Sequence, residues 1–273
     1  MLPALSQVCS LSSPFETDLE DYAAGHVAAV EVWLTKLDKY LETHSLEDVR
    51  KLKADCRIEL PVASFQGGLL ASQGEQRREA WELFRRRLAL CGELEIGTIV
   101  VACDVPRPLD PQTLERVQVS LASLAQEAAP FNVRVALEFQ ASAAVGNNIH
   151  TAAALVADVA SPHLGICLDA FHYYTGPSKP EDLGYLTREN LFHVQLCDVA
   201  DRPREFYTDS DRILPGDGEI NFQPILARLS EIDYDGCVSI EVLNPRLWQV
   251  PARSFGEIAI TALRKLLGMA RMD

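Results

Sequence analysis

Positive charge is scarce in this chain. Its 273 residues carry 25 Lys and Arg against 39 Asp and Glu, a formal net charge of −14. An extended phosphate-backbone interface needs a basic surface, so no nucleic-acid partner is expected. Long apolar runs are missing too. None approaches the ~20 residues that span a bilayer, and no charged segment followed by an apolar one opens the chain. Neither a membrane partner nor a signal peptide is expected, and a cytoplasmic setting is. There is no Cys-x-x-Cys, and the 7 cysteines are an odd number. Most sit in strand-like apolar stretches, which reads as buried reduced thiols rather than a disulfide framework. No GxGxxG or P-loop is present, which counts against a nucleotide-binding doubly wound sheet. No linker or low-complexity stretch interrupts residues 1–273, so a single domain is expected.

What is present is alternation. Strand-like runs are expected at 7–13 (QVCSLSS), 29–34, 57–65, 98–105, 133–140, 163–172, 191–199 and 236–244. Between them lie stretches with helical apolar spacing. The one at 45–56 opens with Ser45 and Asp48, a capping signature, and Thr17 or Asp18 is placed to cap the helix from residue 15. The closing helix is expected over 254–272, and a short one over 179–190. The Arg-rich helix at 75–95 reads as a solvated face. Strand–helix alternation demands a parallel sheet. Eight units in about 270 residues favour a closed (β/α)8 TIM barrel in the α/β class.

In such a barrel the strand ends carry the active site. The last four strand-like runs each end in a group that binds metals: Glu138, Asp169 with His172, His193 with Gln195, and Glu241. Glu138 to Asp169 is 31 residues and Asp169 to Gln195 is 26, close to the ~31 of an average barrel unit. The next interval, to Glu241, is 46, and its excess is the polar loop at 199–218, which holds Arg212. Long loops after barrel strands are usually functional. Two glutamates, an aspartate and a Gln or His form an oxygen-rich set suited to one divalent ion: Mg, Mn, Co or Zn. His193 and Gln195 are two apart and face the same way, so either can be the strand-seven ligand. His172 is placed to donate to a substrate oxygen, and Arg212 to fix one or to close the site. Tyr173, Tyr174, Phe206, Tyr207 and Trp248 line either the pocket or a homodimer contact.

At these residues the chain resembles the xylose isomerase-like barrel superfamily, in the branch of sugar isomerases and epimerases related to endonuclease IV. VALEF, LDAFH, FHVQLCD, LPGDGEI and YDGCVSIEV stand in the family's order and spacing, and the likeness is specific from residue 135 on. The resemblance implies one divalent metal on Glu138, Asp169, Gln195 and Glu241, with Glu138 and Glu241 also the acid–base pair. It implies that His172 and Arg212 contact substrate, and His193 is placed with them. The implied activity is isomerisation or epimerisation of a small non-phosphorylated sugar, polyol or hydroxy-ketone through a cis-enediolate. The alternative is a dehydratase of the inosose or 3-dehydroshikimate type on the same site. Endonuclease-type members use extra histidines from early strands. Here Glu31, Trp33, Pro61 and Ser64 stand at those ends, and Ile213 stands two residues after Asp211.

Overall fold

The computed structural model describes residues 1–269, apart from the side chain of Glu205. The first strands are β1 (Leu2–Ser6), β2 (Ala29–Trp33), β3 (Glu59–Gln66), β4 (Thr98–Ala102), β5 (Arg134–Glu138), β6 (Leu164–Asp169) and β7 (Leu191–Leu196), the last six from the expected runs. Two short strands, β8 (Asp198–Val199) and β9 (Arg212–Ile213), pair antiparallel apart from the rest, and β10 (Cys237–Ile240) follows. The eight long strands close into a barrel in the order β1-β2-β3-β4-β5-β6-β7-β10 and back to β1, every pair parallel. This is the TIM barrel that the alternation predicts. β4, TIVVA, is buried at all five positions, as a strand must be when its outer face is covered by helices and its inner face by the lumen.

The helices are α1 (Phe15–Ala24), α2 (Leu34–Tyr40), α3 (Leu46–Cys56), α4 (Gly74–Glu93), α5 (Pro111–Ala128), α6 (Ile149–Val159), α7 (Ala170–Thr175), α8 (Gln223–Glu231) and α9 (Ala252–Leu266). Their starts follow the sequence. Ser45 and Asp48 form the capping box of α3, Asp110 caps α5 with Pro111 in its first turn, and Asn148 caps α6. Most of the apolar core lies between the barrel wall and this helical layer. A second cluster takes one residue from each barrel strand: Ala4, Ala29, Val62, Val100, Ala136, Cys167, Phe192 and Cys237. It plugs the lumen. On six of these strands a step of two residues keeps the side chain on the lumen side and carries it toward the C-terminal end; on β7 a register shift turns His193 and Gln195 inward instead. There the apolar layer gives way to Ser6, Glu31, Ser64, Glu138, Asp169 and Ser239, all buried.

Four expectations are corrected. The first strand is Leu2–Ser6; residues 7–10 form a 3-10 turn, which frees the side chains of Gln7 and Ser10 to bond Asp18. Neither Thr17 nor Asp18 caps α1: Pro14 holds the cap position, and Asp18 points inward to Lys36 at 2.5 Å. The short helix expected over 179–190 is a 3-10 turn at Pro180–Tyr185. Arg87 on α4 is not solvated. It is buried against Asp38 at 2.6 Å and Gln66 at 2.8 Å, because its position falls on the face that also buries Phe84, Leu88 and Cys91. The end of the closing helix expected over 270–272 lies outside the described residues. Among the described residues no helix is long and apolar enough to cross a membrane, and all seven cysteines are free.

Candidate metal centre

The end of β6 is built by a helix cap. Asp169 closes β6 and starts α7, its Oδ1 accepting from the backbone N–H of Phe171 (2.6 Å) and His172 (3.2 Å). That cap fixes the carboxyl, and its Oδ2 faces the lumen mouth, where Arg212 Nη1 donates to it at 2.7 Å. The same Nη1 donates to Glu241 Oε2 at 3.1 Å. Arg212 itself is placed by the long loop after β7. Asp198, fully buried, accepts from the N–H groups of Val199, Gly216, Gly218 and Ile220, and Asn244 donates to the Arg212 carbonyl. The guanidinium ends 2% exposed, stacked 4.4 Å from the Phe171 ring.

Glu138 closes β5. Gln140 donates to its Oε2 at 3.3 Å, and its Oε1 lies 4.0 Å from His172 Nε2. Glu138, Asp169 and His172 each offer a ligand atom within 4.8 Å of the others, a group that could hold a metal ion. His172 is 8% exposed and its Nδ1 has no hydrogen-bond partner, an unusual state for a buried ring nitrogen. Glu241 sits across the site, bound to Arg212 and to Gln195.

Charge is unbalanced here. Burial, and after it the neighbouring Asp169, push the Glu138 carboxyl up to about 8. Burial likewise holds Glu241 well above the ordinary carboxylate range, with Arg212 opposing and Glu138 and Asp169 adding to the rise. Burial works against ionised Asp169 as well, but Arg212 and His172 outweigh it and hold that carboxyl low. Burial lowers His172, against the pull of Asp169. Arg212 pairs with Asp169, Glu241 and, from its own loop, Asp209, while of the three acids of the centre Glu138 and Glu241 favour carrying a proton.

The strand-seven pair divides. His193, expected at the substrate, is fully buried in the lumen, with Nε2 3.0 Å from Glu31 Oε2 and 3.1 Å from Ser239 Oγ. It supports the site from beneath, because Glu31 at the same depth draws the ring inward. Gln195 reaches higher. Its Nε2 donates to Glu31 Oε1 (2.8 Å) and Glu241 Oε1 (3.0 Å), and its Oε1 accepts from Cys167 Sγ at 3.0 Å. Glu31 was missed by the sequence reading except as an early strand end without histidine. The signal was there: an acid in AVEVW, two residues before Trp33 and so on the same face, inside a strand otherwise apolar. Burial works against its ionisation, but His193, Ser239 and Ser64 hold it below the usual range. A cavity of about 440 Å³ lies at the rim between Leu11, Trp33, Lys36, Tyr40 and His44; none of the acids of the centre lines it.

An inosose isomerase of Halalkalibacterium halodurans is 29% identical over 223 residues, 80% of this chain and 79% of that protein. A 3-dehydroshikimate dehydratase of Pseudomonas aeruginosa is 29% identical over 271 residues, 94% of this chain but 40% of that longer protein. The crystal structure of the IOLI protein with a bound zinc atom superposes with a TM-score of 0.91 at 24% identity, covering 100% of both chains. The family model of the xylose isomerase-like TIM barrel matches residues 21–266, a span that holds every strand-end acid of the centre, and the chain belongs to that family.

Proposed function

We propose that this protein is a divalent-metal-dependent isomerase or epimerase of a small non-phosphorylated sugar or hydroxy-ketone, the cyclic ketone of the inosose type being the favoured substrate class. The observation that carries the reading is the pair Glu138 and Glu241. Each is about 5% exposed; Glu138 ends β5 beside Asp169 and His172, Glu241 faces it from the Arg212 side, and burial raises both carboxyls above the ordinary range.

The residues fit a metal. Glu138, Asp169 and His172 bring ligand atoms within 4.8 Å of one another, the Nδ1 of buried His172 is unpartnered, and the donors are hard oxygens with nitrogen at hand. Glu138, Asp169, Gln195 and Glu241 are the residues proposed to hold it. When bound, such an ion polarises a carbonyl and acidifies the neighbouring C–H. The chain's own groups do the rest. One glutamate takes that proton. The same or the opposite glutamate returns a proton to the adjacent carbon, which isomerises, or to the other face of the same carbon, which epimerises. His172 and Arg212 donate to substrate oxygens and hold the ring in register with the two carboxylates.

A second reading, dehydration, has one observation in its favour. His172 Nε2 lies 4.0 Å from Glu138 Oε1, where the neutral ring can relay the α-proton that Glu138 has taken to a departing β-hydroxyl, which leaves as water. The coverage of the dehydratase relative agrees with it. Incubation of metal-loaded protein in D2O with ketoses, hydroxypyruvate, inosose and 3-dehydroshikimate separates the two. Deuterium incorporation without water loss is expected; a new conjugated absorbance instead supports dehydration. A protein that binds these compounds and exchanges no proton is a binding protein, and both readings fall.

A further inference from the structure

We propose that Glu31 is a positioning residue that aims Gln195, taking its amide nitrogen so that the amide oxygen is the atom offered to a cation. This rests on the metal reading given above.

Glu31 lies on β2 and Gln195 on β7, with β1 and β10 between them in the ring. The contact therefore crosses the lumen. Glu31 is fully buried and has no Lys or Arg partner among the described residues; its carboxylate is met by His193, Ser239 and Gln195. A buried acid is costly and is tolerated only where its hydrogen bonds are made. No step proposed for the substrate uses it. What it does have is a 2.8 Å bond from Gln195 Nε2.

The two ends of a glutamine amide are nearly the same size, so neighbours decide which end faces where. A carboxylate only accepts, so it selects the NH2 end. The second hydrogen of that NH2 goes to Glu241 at 3.0 Å. The amide oxygen is left with the Cys167 thiol, a weak donor that is readily exchanged for a better partner. An NH2 group cannot ligate a metal; a carbonyl oxygen can. By removing the alternative orientation, Glu31 commits Gln195 to the useful one. His193 and Ser239 in turn fix Glu31 from its other side. Outer partners of this kind are typically worth 10- to 100-fold in metal affinity.

The test measures Co²⁺ affinity by chelator competition, with the visible spectrum of the bound ion, in wild type, Glu31→Met, Glu31→Gln, Gln195→Ala and the double variant Glu31→Met/Gln195→Ala. Glu31→Met, which offers no acceptor, is expected to weaken Co²⁺ by about 10- to 100-fold and to change the spectrum. Glu31→Gln, which restores an acceptor oxygen, recovers most of the loss. In the Gln195→Ala background Glu31→Met adds less than about a twofold effect, as a contribution routed through Gln195 requires. An unchanged affinity in Glu31→Met, a Glu31→Met loss as large in the Gln195→Ala background as in wild type, or a Gln195→Ala protein that binds like wild type overturns the proposal. Wild-type protein that takes up no Co²⁺ overturns the metal reading as well, so the two failures are told apart. Should Glu31→Met not fold, Glu31→Gln and the Gln195 amide still decide. The Gln195 side-chain NH2 resonances, identified by their loss in Gln195→Ala, are expected to stay protected from solvent exchange through a Zn²⁺ titration in wild type and in Glu31→Gln. Loss of that protection when the metal binds contradicts the assignment.

Discussion

Two buried acid–base pairs sit at the C-terminal end of this barrel, and they are opposites. On the β1–β2 side, Lys36 Nζ donates to Asp18 at 2.5 Å and to the carbonyls of Gln7 and Ser10. Asp18 also accepts from Ser10 and Gln7. One acid meets one base and every donor is used, so this pair ties α1 and α2 to the strand ends. On the β6–β10 side, Arg212 meets Asp169 at 2.7 Å and Glu241 at 3.1 Å, with Glu138 close by and His172 Nδ1 unpartnered. There the acids outnumber the base. Equal burial thus accompanies opposite roles: a satisfied network stabilises, and an unsatisfied one with surplus charge is held ready for a ligand.

The comparison breaks most visibly at the surplus acids. Glu241→Gln is expected to lower proton exchange with substrate by about 10²- to 10⁴-fold, the usual worth of a positioned acid–base group. Its thermal midpoint is expected to hold or rise, because the change removes a buried carboxyl whose ionisation is opposed by burial and by Glu138 and Asp169. Exchange rates and melting curves on the same samples check both halves. A Glu241→Gln protein with full activity would remove this residue from the acid–base pair.

Lys36→Met is the mirror experiment, with stability moved and chemistry spared. It leaves Asp18 buried without its cation, which costs about 3–5 kcal/mol in comparable pairs. The cost depends on pH in a defined direction. Burial raises Asp18 to about 6 in the folded protein, with Lys36 opposing, against ~3.9 unfolded. The folded state therefore keeps this proton to higher pH, and the stability it lends fades as pH rises from about 4 through 6. Without Lys36 the carboxyl rises further, so the variant's deficit should be full at pH 8 and shrink toward pH 5. Urea unfolding of both proteins at the two pH values measures it. A deficit that grows on acidification would mean that Asp18 is ionised without help.

How far the sequence foretold these two regions follows from where their partners lie. The barrel was legible because the seven later barrel strands announce themselves locally, by β-branched runs, and helices by cap residues such as Ser45 and Asp48 on α3. Asp169 was legible for a similar reason: it ends an apolar run and opens a helix. Glu31 and the Asp18–Lys36 pair were not. Their partners stand off in the chain, Glu31 being 162 positions from His193 and Asp18 being 18 from Lys36. An isolated polar residue in an apolar stretch says only that something must satisfy it. The first strand was misplaced because QVCSLSS has strand-like composition, while the buried bonds of Gln7 and Ser10 require a turn. Arg87 could have been found, since it lies between Phe84, Leu88 and Cys91 on one helical face; its charge outweighed its spacing in the reading.

The smallest expected effect tests whether the quiet side of the barrel touches substrate at all. Trp33 ends β2, and Phe65, at the end of β3, stacks on it with ring centroids 5.4 Å apart and planes within 6°. Phe65 is 38% exposed, at the same end of the barrel as the acids. Phe65→Ala removes the stack, worth about 0.5–1.5 kcal/mol beyond its area. If the pair is only a brace, thermal stability falls by that amount and kinetics are unchanged. If it forms one wall for the substrate ring, KM rises while kcat holds, the pattern of lost uniform binding. The second outcome is expected. Trp33 shares its inward parity with Glu31, so its indole faces the lumen mouth, where a ring held between the two glutamates would present its apolar face to the stack.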